Sequence, residues 1–107
     1  MHEEIYELLK QIAKSQGTIP YGKVAPLAGL DMDREIDRVK LGQILGEISE
    51  FEHSQGRPML SAVVIHADDF KPGTGFFELG KQLGLTRGQD ALEFHLNQLK
   101  TVHQSWK

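Results

Sequence analysis

The chain has 107 residues, of which 39% are hydrophobic and 25% charged, and it carries a formal net charge of −3. That size and balance fit one soluble domain over residues 1–107 and exclude a disordered chain. No apolar run approaches the roughly 18 residues of a membrane span. Cysteine is absent, which removes disulfides, thiolate nucleophiles and cysteine-ligated metal centres, and fits a reducing cytoplasm. The acidic start Met1-His2-Glu3-Glu4 does not read as a signal peptide. With 12 Lys+Arg against 15 Asp+Glu there is no global positive field, so nucleic-acid binding would need a local basic patch.

Ile5, Leu8, Leu9 and Ile12 recur at helical spacing, predicting a first helix over 3–16 capped at Gly17. Thr18-Ile19-Pro20 must be extended, because a residue before proline is pushed out of the helical region. A short second helix is expected from Tyr21 to Ala28, with Gly29 ending it. Asp31 or Asp33 is the expected cap of a third helix that runs to Ser54 and stops at Gly56. Gly42 and Gly46 lie four apart inside it, a spacing that predicts close approach of the first helix.

The β-branched stretch 60–65 reads as a strand, Pro72-Gly73-Thr74-Gly75 as a turn, and 74–77 as a short return strand. A helical piece follows over 77–83, ended by Gly84. Thr86-Arg87-Gly88-Gln89 fits a capping box before a last helix carrying Leu92, Leu96, Leu99, Val102 and Trp106 near one face. Three helices, a β-hairpin and C-terminal helices make an α+β order like that of a winged helix, with the third helix as recognition helix and the hairpin as wing.

The strings Thr18-Ile19-Pro20-Tyr21-Gly22-Lys23-Val24-Ala25, Leu41-Gly42-Gln43-Ile44-Leu45-Gly46-Glu47-Ile48-Ser49, Gly56-Arg57-Pro58-Met59-Leu60-Ser61-Ala62-Val63-Val64 and Pro72-Gly73-Thr74-Gly75-Phe76-Phe77 resemble a family of small microbial and phage proteins with no established activity. At greater distance, Ile19 to Ala25, Leu27-Ala28-Gly29, Leu41-Gly42 and Val63-Val64 are similar to the winged-helix domain of O6-alkylguanine DNA alkyltransferases and alkyltransferase-like proteins. That resemblance implies duplex DNA as ligand and a nucleotide-rotating tyrosine at Tyr21. The position of the family's base-replacing arginine is Val39 here, between Arg38 and Lys40, and the Pro-Cys-His-Arg segment has no counterpart. Without cysteine, alkyl transfer is chemically excluded.

Tyr21, Lys23, Arg34, Arg38, Lys40, Gln43 and Lys71 are the candidate DNA-contacting residues. Against them stands a bland reading: Asp31, Asp33, Glu35 and Asp37 are interleaved with Arg34, Arg38 and Lys40, as in a solvated face laced with ion pairs. His66, Asp68 and Asp69, with Glu78 and Lys81 downstream, suggest a metal or nuclease site, but the spacing misfits and aspartates after a strand usually form turns. The glycine-rich 72–75 segment lacks the lysine and hydroxyl of a phosphate-binding loop. His95 and His103 are too far apart for a metal pair on one helix and belong to a partly buried face; His53 suits a helix end. Met59, Phe70, Phe76 and Phe77 form either core or a partner-binding patch around the hairpin. The expectation is a non-enzymatic DNA-binding module without cofactor or metal. The alternative is a protein-interaction adaptor on the same scaffold. The sequence leaves the oligomeric state open.

Overall fold

The computed structural model describes all 107 residues. Helix α1 spans Glu3–Lys14 and buries Ile5, Leu9 and Ala13. Its left-handed exit residue is Gln16 (φ 63°), one before the expected Gly17. The Gln16 amide supports that conformation by donating to the carbonyls of Ala13 and His103.

Strand β1 (Ile19–Pro20) leads directly into α2 (Tyr21–Val24), which tightens into a 3-10 turn over Ala25–Ala28. Pro26 explains the change, since it sits where a missing N–H is harmless only in a first turn. Gly29, at φ 67°, closes the unit. Helix α3 begins at Glu35 and runs to Ser54. Neither Asp31 nor Asp33 caps it: Asp37 Oδ2 accepts from the Asp31 N–H (2.9 Å) and Asp31 Oδ1 from the Asp33 N–H (2.9 Å). The two carboxylates brace the turn before the helix rather than the helix itself.

The expected hairpin is not formed. Residues Leu60–Val63 make a 3-10 turn and only Val64–Ile65 are extended, as β2. β2 pairs in parallel with β1, Ile19 against Val64 and Pro20 against Ile65. The physical reason lies in who satisfies the 60–63 backbone. Ser49 Oγ takes the Ser61 N–H, Gln98 Oε1 takes the Met59 N–H, and His95 Nε2 donates to the Ala62 carbonyl. No partner strand is needed. The presumed return strand is instead the start of α4 (Thr74–Gln82), which buries Phe76 and Leu79.

Helix α5 (Ala91–Ser105) is capped by Asp90, whose carboxylate accepts from the Glu93 N–H, and not by the 86–89 box. Its inward face is Phe94, His95 and Val102; Leu92 and Leu96 lie outside. A contiguous core of 19 buried residues joins α1, α3, the 60–63 turn, β2, α4 and α5. No helix is long and apolar enough to cross a membrane. The architecture is α+β: five helices around a two-stranded parallel sheet.

Candidate nucleic-acid interface

Helix α3 presents two unlike edges. Its inward stripe is Leu41, Leu45, Ile48 and Glu52. Outward, Ile36 and Val39 are 58% and 56% exposed, with Gln43 beyond them. Gly42 and Gly46 do not meet α1. A side chain at Gly42 would touch nothing, and one at Gly46 would approach only Leu79 of α4. The two glycines therefore lower one wall of a groove between α3 and the 66–79 segment.

That groove encloses about 620 Å³. Its α3 wall carries Glu35, Arg38, Val39, Gly42, Gln43 and Gly46; the opposite wall carries His66, Gly73, Thr74, Gly75, Phe76 and Glu78. Tyr21 closes one end. The Tyr21 hydroxyl accepts from the Gly73 N–H at 2.7 Å, and its ring lies 4.6 Å from that of His66. Burial holds the Tyr21 phenol above its ordinary pKa, so it stays neutral, and the Gly73 N–H only partly offsets this. Ser61 lines the groove floor, its hydroxyl 2.6 Å from that of Ser49.

Lys23, Arg34, Arg38, Lys40 and Lys71 are all exposed, and none is within 4.0 Å of a carboxylate oxygen. The ion pairs of the molecule lie elsewhere, at Met1–Glu47, Lys10–Glu7 and Arg57–Glu52. Arg38 donates only to the Met32 carbonyl, at 2.7 Å. Of the interleaved acids, Asp37 is buried and spent on the Asp31 N–H. The expected i, i+3 and i, i+4 pairs of a solvated face are absent from this end of α3.

Further along the α3–α4 seam no cationic side chain remains. A second cleft of about 410 Å³ gathers Glu47, Glu50 and Glu78 with Gln43 and Gln82. The surface is thus mixed: Arg34, Arg38 and Lys40 share the N-terminal half of α3 with exposed Asp31, Asp33 and Glu35, and carboxylates alone follow beyond Gln43.

Of the sequence candidates, Tyr21, Arg38 and Gln43 meet at the groove, together with His66, which the sequence raised only as a metal or nuclease candidate. Lys23 and Lys71 sit on the flanking α2 and 66–73 segments, and Arg34 precedes α3. Helical geometry turns Lys40 about 160° away from Arg38, onto the other flank of the exposed crest. His66, Asp68 and Asp69 form no metal constellation, since no three His, Asp or Glu side chains converge. Asp69 Oδ1 accepts from the Lys71 N–H at 3.0 Å, as a turn aspartate does. Met59 and Phe76 are core, Phe77 is half-buried and Phe70 alone is exposed, so these four side chains form no surface patch. His103 Nε2 donates to the Gly17 carbonyl, and buried His95 to that of Ala62.

The comparisons add no relative: no family model matches the chain, and neither a curated protein nor a solved structure is significantly similar to it.

Proposed function

We propose that the chain is a non-enzymatic DNA-binding module on a winged-helix-related scaffold without a hairpin wing, acting through the α3 N-terminal half and its two flanking segments. One observation carries this reading. Arg34, Arg38 and Lys40 on α3 and its approach, and Lys23 and Lys71 on the segments flanking the groove, are all exposed, and none is held within 4.0 Å of a carboxylate oxygen. Unpaired surface cations beside a helix crest are available for phosphate oxygens, which position a protein on duplex DNA. Arg34 and Arg38 would engage one strand, Lys40 the other, and Gln43 a base edge. Lys23 and Lys71 would add contacts from α2 and the 66–73 segment. Tyr21 serves as a positioning residue through Gly73.

The test is a fluorescence-anisotropy titration of duplex DNA across salt concentrations. Three to five neutralised phosphates give a log-affinity against log-salt slope of about −3 to −4.5. Exposed Asp33 and Glu35 among these cations, and Glu47, Glu50 and Glu78 beyond them, oppose the phosphates, so the affinity expected is micromolar, in the non-specific range. Replacing Arg38 and Lys40 together by alanine reduces the slope by about 2. No binding at low salt, or a slope indifferent to this pair, overturns the reading.

A specific observation favours a second reading. Exposed Ile36 and Val39 share the surface of α3 with the acidic cleft further along the helix, a surface that suits a protein partner with apolar and basic side chains. An adaptor role predicts no salt-dependent DNA binding, and the same titration separates the two.

A further inference from the structure

Phe70 is the most exposed large apolar side chain of the molecule, at 68%. Its backbone is left-handed, at φ 57°, a conformation disfavoured for any residue with a Cβ and usually given to glycine or asparagine. Two unfavourable features therefore coincide at one residue, a wetted aromatic ring and a strained backbone, and nothing inside the fold relieves either. Strain of this kind persists where the surroundings over-determine it, and it clusters at binding sites.

The surroundings here do over-determine it. The His66 N–H donates to the Lys71 carbonyl at 2.8 Å, and the Phe70 N–H to the His66 carbonyl at 2.9 Å. Asp69 Oδ1 takes the Lys71 N–H. Below the tip, Pro72 is buried and Tyr21 holds the Gly73 N–H. The ring is thus presented on a fixed point rather than a slack loop, and little ordering entropy remains to be lost on binding.

The two ends of this tip, His66 and Gly73, line the groove opposite Arg38 and Val39, and exposed Phe70 stands on the loop between them. Three unpaired cations belong to the same candidate interface: Lys71 next in sequence, Arg38 on the facing wall of the groove, and Lys23 two residues after Tyr21. The Asp69 carboxylate is turned onto the loop backbone, leaving Asp68 as the one unengaged acid of the tip. A pocket on a protein would accept the ring but gives no role to the cations. Duplex DNA accounts for both, with phosphates for the cations and an apolar stack of bases for the ring.

We infer that Phe70 is a wedge that enters between two base pairs of bound duplex DNA and partly unstacks that step, as apolar side chains of minor-groove binders do. The inference rests on the DNA reading above and adds a distortion to it. Flexible pyrimidine–purine steps are the ones it would favour.

The experiment uses the full chain and a duplex carrying 2-aminopurine at a pyrimidine–purine step, a base whose fluorescence rises when it unstacks. Binding of the wild type raises the signal, and Phe70→Leu retains most of it. Phe70→Ala loses it and weakens binding about fivefold or more, the loss of one base–aromatic contact, while the salt slope is unchanged. Phe70→Gly behaves like Phe70→Ala on DNA but melts no lower than the wild type, because glycine accepts the left-handed backbone; the loss is then not one of folding. Wild-type binding without a rise, or an equal rise with Phe70→Ala, overturns the wedge. If binding depends on Arg38 and Lys40 but not on Phe70, the DNA reading stands and the ring is assigned to a protein contact. If the wild type binds no DNA at low salt, both fall together.

Discussion

The Tyr6 hydroxyl donates to Glu52 Oε2 at 2.9 Å, joining α1 to α3 across 46 residues of chain. Glu52 is fully buried, and Arg57 closes the site with a fork, Nε to Oε1 at 3.0 Å and Nη2 to Oε2 at 2.6 Å. The guanidinium lies 5.6 Å from the Trp106 ring, so the C-terminal end of α5 packs on the same group. Burial first, then the bond to Glu52, raises the Tyr6 pKa and keeps the phenol protonated.

Removing Arg57 strands a buried carboxylate. Arg57→Ala is expected to destabilise the fold by about 3 kcal/mol, the low end of the range for a broken buried pair because the guanidinium is partly wet. Tyr6→Phe removes one charge-assisted bond and costs about 1.5–3 kcal/mol. Replacing the pair together, Glu52→Leu with Arg57→Met, costs less than Arg57→Ala alone, since no charge is left unpaired. Urea midpoints measure all three. An Arg57→Ala midpoint equal to that of the wild type would show that Glu52 finds water.

His95 couples stability to pH. Burial lowers its pKa from 6.5, and the bond to the Ala62 carbonyl offsets this only in part. The folded state therefore holds a neutral imidazole, its proton on Nε2, while the unfolded chain takes up a second proton below pH 6.5. A base with a depressed folded pKa contributes stability that is fully present above the unfolded value and is lost as pH falls below it. From this site alone, stability declines below about pH 6.5, by up to about 1.4 kcal/mol per pH unit until the folded pKa is reached. His95→Gln abolishes that portion of the slope. Denaturant titrations at several pH values read it directly, and parallel pH profiles for the two proteins would refute it.

Gly80 faces the ring of Phe94 so closely that an added Cβ would overlap it. Phe94 is buried and packs against Phe76, their ring centroids 5.4 Å apart, so the ring has nowhere to retreat. Gly80→Ala is expected to lower stability by about 1–3 kcal/mol through overpacking, despite alanine's better helix propensity. Phe94→Leu in the same chain should recover part of that loss, giving a non-additive double-mutant cycle in thermal melts.

The sequence reads the helices well, and the reason is their period. α1 and the extent of α3 follow from recurring apolar positions, and Gly56 and Gly84 mark real exits at φ 74° and 73°. The run 60–65 misleads because it is buried on every side, so alternation cannot distinguish a strand from a 3-10 turn whose backbone is served by Ser49, Gln98 and His95. In α5 the apolar pattern offers two faces, and the aromatic Phe94 rather than Leu92 or Leu96 wins the core. The cations of the candidate interface are visible as residues, but their lack of ion pairs is not, because it depends on where each interleaved acid turns, as Asp37 does inward to the Asp31 N–H. The groove joins Tyr21, Arg38, His66 and Gly73 from separate parts of the chain, a proximity that one sequence does not encode. The Tyr6–Glu52–Arg57 site did leave a signal: Glu52 falls on the stripe of Leu41, Leu45 and Ile48, and a carboxylate on an apolar stripe demands a partner.

Tyr21→Phe separates positioning from contact at the candidate interface. The hydroxyl accepts from the Gly73 N–H, and Gly73 begins the wall that faces Arg38 and Val39. Without that acceptor the half-buried N–H is left unpaired, at a cost of about 1–3 kcal/mol if water cannot replace the hydroxyl. The ring itself remains beside His66, because the tilted ring contact at 4.6 Å does not use the oxygen. The variant should therefore fold, melt lower, and show faster amide exchange over 66–75, the segment its hydroxyl pins. If Tyr21 acts only through this segment, DNA affinity falls with an unchanged salt slope, since no phosphate-neutralising group has been removed. A loss of affinity with amide exchange over 66–75 as in the wild type would instead assign the hydroxyl a direct contact with DNA. Exchange mass spectrometry alongside the anisotropy titration distinguishes the two outcomes.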